Sequence, residues 1–479
     1  MPLASPTADR SAAPAIPPGA VWILPAALAC GWVVARYAQG FMGRETLLCL
    51  LLGGIILAPA AVRMATGTFD LFEPMVLVTG LYFLYFVVGP LVRFSMDDMV
   101  FVGRNFEAAY ARGLLAVLVV VLSLWAGYAV PVGPPPGSAA ALRRRWDPAA
   151  ARRMGWGLVL LALVFMLLWA RIAGRSLGTF FLPGLFGSMG GGGDGPDIPY
   201  LVLAIEWFTP ALLVLVIAGA LRGLGSRAAA VLLITIVYVS IGFRYRVVIL
   251  WIAFSMLLYL KAGKRPRLAV LVPAGLGAFM FVGWLAWARL FFRSGGANGG
   301  LAFNFGDVVQ GGLSDTRVFE TFGAVMQVVP QHVDYVGFDP LAYLFILPIP
   351  RFLWPEKPLP MWLYDIGGSI GTAESANLGA AVPHFGEYYF MFGWPGMALG
   401  SFLFGMGVRW LWRWYQADPG DPWRQLLLAI NTGFLFQAVI RGYLAQVFQE
   451  WCFIVLPAIV IMRMCTRPAP PPAAGNANA

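Results

Sequence analysis

Four short stretches of this chain carry residues whose types and spacing suit chemistry on an anion. Arg244 and Arg246 alternate in Gly242-Phe-Arg-Tyr-Arg246, with no acid nearby in sequence to neutralise them. Arginine keeps its charge and presents a planar fork matched to phosphate or carboxylate. Arg317 and Glu320 stand three apart in Ser314-Asp-Thr-Arg-Val-Phe-Glu320. Arg351, Glu356 and Lys357 sit in Pro348-Ile-Pro-Arg-Phe-Leu-Trp-Pro-Glu-Lys-Pro358, where four prolines stiffen the backbone around the charges, as a positioned anion clamp needs. His384 and Glu387, also three apart, can share one helical face. Beside cations such a pair can take a proton from a hydroxyl. Three of these motifs also have a plain reading. Arg244 and Arg246 snorkel to lipid phosphates, Arg317 pairs with Glu320, and Glu387 caps a helix beside an interfacial histidine. His332, the only other histidine, is read as an ordinary surface residue.

The elements that must hold these residues are membrane helices. The chain is 59% hydrophobic and 12% charged over 479 residues, with a mean hydropathy of +0.75. No soluble domain has that balance. The fold class expected is an all-α polytopic membrane protein of about 12 transmembrane helices, with a large extracytoplasmic loop containing short amphipathic helices. Apolar runs fall near 20–36, 45–62, 74–92, 112–131, 155–173, 199–221, 228–243, 246–260, 268–291, 386–408, 425–441 and 444–462. A single transmembrane domain, 19–466, is bracketed by Pro/Ala-rich tails 1–18 and 467–479 that read as disordered.

Charge orients these spans. The net charge of +10 sits in short loops: Arg143 to Arg145 with Arg152 and Arg153, then Arg222 and Arg227, Lys261 to Arg267, and Arg409, Arg413 and Arg424. An even number of expected spans separates each pair of these loops, so all fall on one side, the cytoplasm. The pattern argues against a nucleic-acid partner. Opposite lie the Gly-rich loop 174–198, the turn at Phe243 to Arg246 and the long insert, about 292–385. The insert's first helix is expected to lie on the membrane surface. Ser314 or Asp315 would cap it, Val318, Phe322, Val325, Met326 and Val329 would form its apolar stripe, and Pro330 would end it. Leu341 to Leu347 is apolar but too short to span.

Nucleotides are absent from the outer side, and neither a P-loop nor a GxGxxG follows a strand. Chemistry there must use an already activated substrate. Four scattered cysteines, without CxxC, suggest neither a disulfide framework nor a zinc site. No metal and no cofactor are expected.

At Gly242-Phe-Arg-Tyr-Arg246, the Pro348–Pro358 string and Gly386-Glu-Tyr-Tyr-Phe-Met-Phe-Gly393, the chain resembles the bacterial oligosaccharide repeat-unit polymerases that build O-antigen and exopolysaccharide. The likeness covers roughly residues 225–410, with the motifs in the right order. Arg351 and Gly367 match an arginine–glycine spacing of that family, whereas Arg175 does not meet the companion spacing in the earlier outer loop. The resemblance implies a glycosyltransferase of the bacterial inner membrane with its site facing the periplasm. A glycan on polyprenyl pyrophosphate would be transferred as a block to a hydroxyl of the incoming lipid-linked unit. It further implies Arg351, Arg244 and Arg246 on the pyrophosphate, Lys357, Arg317 and Glu320 in support, and Glu387 or His384 as base. Expected partners are the lipid-linked oligosaccharide, membrane lipid and a chain-length regulator protein. The rival readings are an O-antigen ligase, a flippase or transporter of lipid-linked sugars, and a membrane acyltransferase.

Overall fold

The computed structural model describes residues 43–95, 100–101, 104–133, 144–172, 199–241, 244–293, 304–314, 317–370 and 381–468. The first expected span, the Gly-rich loop and the terminal tails (1–18 and from 469 onward) lie outside those residues. The other eleven apolar runs are all helical. They are α1 (Arg44–Ala65); α2 (Pro74–Phe83), which passes through a π turn (Leu84–Val88) into α3 (Gly89–Ser95); α4 (Glu107–Ala129); α5 (Pro148–Ile172); α6 (Pro199–Ala204), joined by a 3₁₀ turn (Ile205–Trp207) to α7 (Phe208–Ile217); α8 (Leu224–Ile241); α9 (Arg244–Lys261); and α10 (Leu268–Arg293). The insert supplies α11 (Phe305–Ser314), α12 (Val318–Val328), α13 (Asp339–Ile346) and α14 (Met361–Ile370), before α15 (His384–Gln416), α16 (Pro422–Ile440) and α17 (Leu444–Cys465). Among the described residues, nine helices are long and apolar enough to cross a membrane, and the chain is a multi-pass helical membrane protein. The sheet content described is two short ladders: Val100–Phe101 with Arg104–Asn105, and Arg144–Trp146 with Thr466–Pro468. The second ladder draws Arg467 and Pro468, expected in the tail, into the fold.

The two spans missing from the nine, α9 and α16, lie in the interior against each other. α9 carries Arg244, Arg246 and Lys261, and α16 carries Asn431 and Gln437. Such residues are costly against lipid and tolerable where protein supplies their partners. A Cβ at Gly433 of α16 would stand 2.7 Å from the Ile249 carbonyl oxygen of α9, so these backbones approach as only glycine allows. The outer helices show the reverse pattern: Leu160, Leu161 and Leu168 of α5 are exposed on the lipid side.

Connecting segments meet in two groups, consistent with the charge-based sidedness. At the basic end Arg265 grips Asp70 through two hydrogen bonds of 2.7 and 2.9 Å, and Trp146 meets Trp423 edge to face. Arg63 and Tyr128 both bond to buried Glu73 there, with Arg409 over the Tyr128 ring. At the opposite end the insert closes over the bundle: Gln327 donates to the Asn105 carbonyl and Tyr200 to that of Leu347.

Helix α12 departs from expectation. It begins after Arg317, its N-cap residue, rather than at Ser314, and Asp315 lies outside the described residues. It also does not lie on a water-facing surface. Glu320 is 2% exposed and Thr321 1%, because α12 is wedged between α4 and α14. Phe319 packs on Gly113, where a Cβ would meet its ring at 2.9 Å. The apolar stripe was a true indication of burial, but the fold covers the polar side as well.

Helix α15 departs in another way. It is two helices joined at Gly393, whose φ of 66° and ψ of −148° no L side chain adopts readily. The first part folds back along the second. Tyr388 presses on Gly396 and Gly400, and the His384 ring lies 4.5 Å from that of Phe404. Phe404 is eleven residues past the break, roughly 16 Å of helix. His384 therefore opens a re-entrant half-helix.

The crossing of α4 and α15 offers a test of this packing. A side chain at Gly405 would overlap the Leu124 carbonyl oxygen, whereas Gly407 has open space around it. Gly405→Ala should lower the midpoint of thermal unfolding in detergent by the equivalent of about 1–3 kcal/mol. Gly407→Ala, in the same helix, should leave it unchanged or slightly higher. Equal effects would mean that this crossing is absent.

Candidate functional site

Backbone interruptions inside a bilayer persist only where protein or a wet cavity satisfies the freed groups, and in transporters they mark ligand sites. Three interruptions converge here: the 3₁₀ turn at Ile205–Trp207, the start of the half-helix at His384, and the break Arg441-Gly442-Tyr443 between α16 and α17. The Gly442 amide bonds to the Val382 carbonyl, and a Cβ at Gly442 would run into the Pro383 oxygen. Glycine is required there because two broken segments cross.

On one side of this junction lies a buried polar seam. Arg246, 3% exposed, donates from Nε to Glu206 Oε1 at 2.6 Å. The Tyr245 hydroxyl reaches Glu206 at 3.3 Å and Glu450 at 3.2 Å. Glu450 also accepts from Gln437 and Gln446, both at 3.0 Å. The Arg441 guanidinium lies over the Tyr245 ring, 5.5 Å from its centroid. Glu206 is held from behind as well, its backbone carbonyl accepting from Tyr238. The acids missing from the sequence around Arg244 and Arg246 thus arrive from 40 residues before and 204 after Arg246. Among the described residues the seam sets the Arg246 and Arg441 guanidiniums beside the Glu206 and Glu450 carboxylates, and Arg244 stands on the first turn of the same helix as Arg246.

Across the junction, Glu387 accepts from the Leu444 amide and so caps α17. His384 bonds through Nε2 to the Tyr82 hydroxyl at 2.6 Å. The rings of Phe385, Tyr388 and Phe404 enclose the rest of it. The two residues share the half-helix as expected, yet their described contacts are those of a cap and of a histidine in an aromatic box.

The proline-flanked string forms the lip above the seam. Leu347 is the link: its carbonyl accepts from Tyr200, six residues before Glu206, and from Lys357 Nζ at 2.7 Å. Lys357 donates also to Ile349, and Arg351 Nη1 donates to the Pro355 and Lys357 carbonyls at 3.4 and 3.2 Å. Both cations therefore brace their own loop. Arg351 keeps an exposed guanidinium, while Lys357 is buried. Burial, and then the neighbouring Arg351 charge, hold the Lys357 ammonium below the ordinary lysine range.

Arg317 and Glu320 stand apart from this assembly. Glu320 pairs with Arg93 at 3.4 Å on the far side of the half-helix, where Phe322 packs on Phe385. Arg93 was missed by sequence reasoning, as were Tyr82, Gln437, Gln446 and Arg441. Glu206 and Glu450 are carboxylates within apolar runs, and intramembrane charge is itself a sign of function. His332 is exposed, in keeping with its plain reading.

No family model, curated protein or solved structure matches this chain. What the seam can do therefore rests on its own geometry. It offers fixed guanidiniums and carboxylates in a water-poor setting, next to backbone groups released from helices.

Removing one partner of a buried ion pair costs about 3–5 kcal/mol, because the other charge is left uncompensated. Arg246→Met should destabilise the chain by that order in detergent unfolding. Adding Glu206→Gln to it should recover more than 1 kcal/mol. Strictly additive losses would show that the two side chains do not interact.

Proposed function

We propose that this chain is a membrane glycosyltransferase that polymerises polyprenyl-pyrophosphate-linked oligosaccharide repeat units. In this reading it sits in the bacterial inner membrane with about twelve spans. The basic loops face the cytoplasm and the insert, about 292–385, faces the periplasm. One observation carries the proposal: Arg246 and Arg441 meet where helices break, with Arg244 at the start of α9, and the proline-stiffened lip bearing exposed Arg351 is tied to the same region through Tyr200 and Leu347.

The chemistry follows from that placement. The anomeric C–O bond to the donor pyrophosphate breaks, and the leaving group departs with the electron pair. A hydroxyl of the acceptor sugar forms the new glycosidic bond, and its proton passes to Glu387. Guanidiniums fixed in place stabilise the phosphate charge as it develops, without reorganising at the moment of reaction. Arg351 meets the diphosphate from the lip and Arg244, Arg246 and Arg441 from below. Lys357 serves by holding the lip, since its ammonium is committed to two carbonyls. Arg317 and Glu320 act at a distance, through the packing of α12 on the half-helix. A chain-length regulator is the expected protein partner.

A second reading has specific support. A seam of Glu206, Tyr245, Arg246, Gln437 and Glu450 within the spans also suits a flippase or transporter of lipid-linked sugars, which must move a polar head group through the bundle.

Surface glycans of a deletion strain separate these readings on a gel. Single repeat units imply the polymerase, undecorated core with intact free polymer implies an O-antigen ligase, and loss of every outer-face intermediate implies a flippase. Restored with Arg351→Ala, the strain should keep single units and lack long chains. Wild-type chains from a normally expressed variant would remove Arg351 from the site. Glu387→Gln separates base from cap. The amide oxygen can still accept from Leu444, so stability should fall by less than about 1 kcal/mol, while polymer yield should drop a hundredfold or more if the carboxylate takes the proton. Unchanged yield would leave Glu387 a cap alone.

A further inference from the structure

Between α5, α7 and α8 runs a cavity of about 500 Å³ with an almost wholly apolar lining. Trp156, Leu163 and Leu167 of α5 form one wall, Leu233 and Val237 of α8 the other, and Leu212 of α7 the floor. Trp156, Leu163, Leu167 and Leu233 are exposed, so the trough opens on the lipid side.

Its end is charged. Arg152 precedes Trp156 by four residues on α5, and Arg227 precedes Ala230, another lining residue, by three on α8. At helical spacing each arginine stands one turn beyond the lining of its own wall, toward the basic end. Both turn to carbonyls just past the end of α7: Arg152 Nη2 donates to Ala218 at 3.4 Å and Arg227 Nε to Leu221 at 2.9 Å. Lys261 Nζ joins them at Val216, 2.8 Å away. Among the described residues, none of the three makes an ion pair. The bonds described use one N–H of each guanidinium, and a guanidinium has five.

A cationic rim at one end of an apolar trough has the shape of an amphiphile. We infer that this groove binds an anionic phospholipid of the leaflet at the basic end, its phosphate between Arg152 and Arg227 and an acyl chain along α5 and α8. Charge complementarity selects the occupant. Basic pockets between spans take anionic head groups, and a neutral lipid adds no counter-charge to three cations that make no ion pair among the described residues. The groove lies at the opposite end from the sugar chemistry proposed above and does not depend on it.

Native mass spectrometry of the purified full-length chain, titrated with phosphatidylglycerol or with phosphatidylcholine of the same acyl chains, tests the idea. Phosphatidylglycerol should bind at least tenfold more tightly. R152Q/R227Q should weaken it about thirtyfold, R152K/R227K should retain most of it, and A230W should weaken it with the rim intact. Should the glutamine pair fail to fold, R152Q and R227Q singly should each lose about fivefold. Equal binding of the two lipids overturns the proposal, as does full binding by the glutamine variants or by A230W. Equal protection by inorganic phosphate would mean a rim without a groove. Displacement at equal or lower concentration by a polyprenyl phosphate would give the groove to the substrate instead.

Discussion

The Arg246–Glu206 pair is the interaction on which the end of the molecule beneath the insert depends. Neither group can remain ionised in a hydrocarbon setting by itself, and each supplies what the other needs. Around that pair Tyr245 joins the two carboxylates and Gln437 and Gln446 hold the second one, beside the backbone breaks of α6–α7 and α16–α17. Were the pair absent, the seam would be a set of polar groups without compensation in the least forgiving solvent a protein meets. With it, three helices can be interrupted near one point without exposing backbone to lipid.

The half-helix and the lip are built on the same principle by other means. Glu387 caps α17 across the junction, so a side chain on one broken segment completes the hydrogen bonding of another. At the lip, the cations of the proline string turn inward to carbonyls that proline-rich backbone leaves without amide partners. A run that reads as an open clamp is thus a braced frame that leaves one guanidinium at its surface.

Much of this fold was legible in the chain. Long apolar runs and the arginines between them located eleven helices and grouped their ends, because hydrophobic thickness and loop charge are local properties of sequence. The site was legible only in its parts. Arg244, Arg246 and Arg351 announce themselves by charge in apolar surroundings. The partners of Arg246 come from distant helices, and no spacing rule encodes that meeting. The break at Gly393 hid inside a run whose hydropathy continues across it, and a single left-handed glycine carries no periodicity to betray it. Glu320 hides its distant partner for a related reason. An acid three residues from an arginine reads as locally paired, and that spacing says nothing of Arg93, on a helix more than two hundred residues earlier, which also reaches it.

The bracing of the Pro348–Pro358 segment has a thermodynamic consequence. Arg351 and Lys357 fix the loop through four carbonyl oxygens, so its conformational freedom is already lost when the chain folds. A ligand arriving at this edge meets a rigid receptor and forfeits little entropy in ordering it. Discrimination among head groups at that edge then reflects shape and charge rather than the cost of assembling the loop, and binding there should show a small heat-capacity change beyond that of the contact itself.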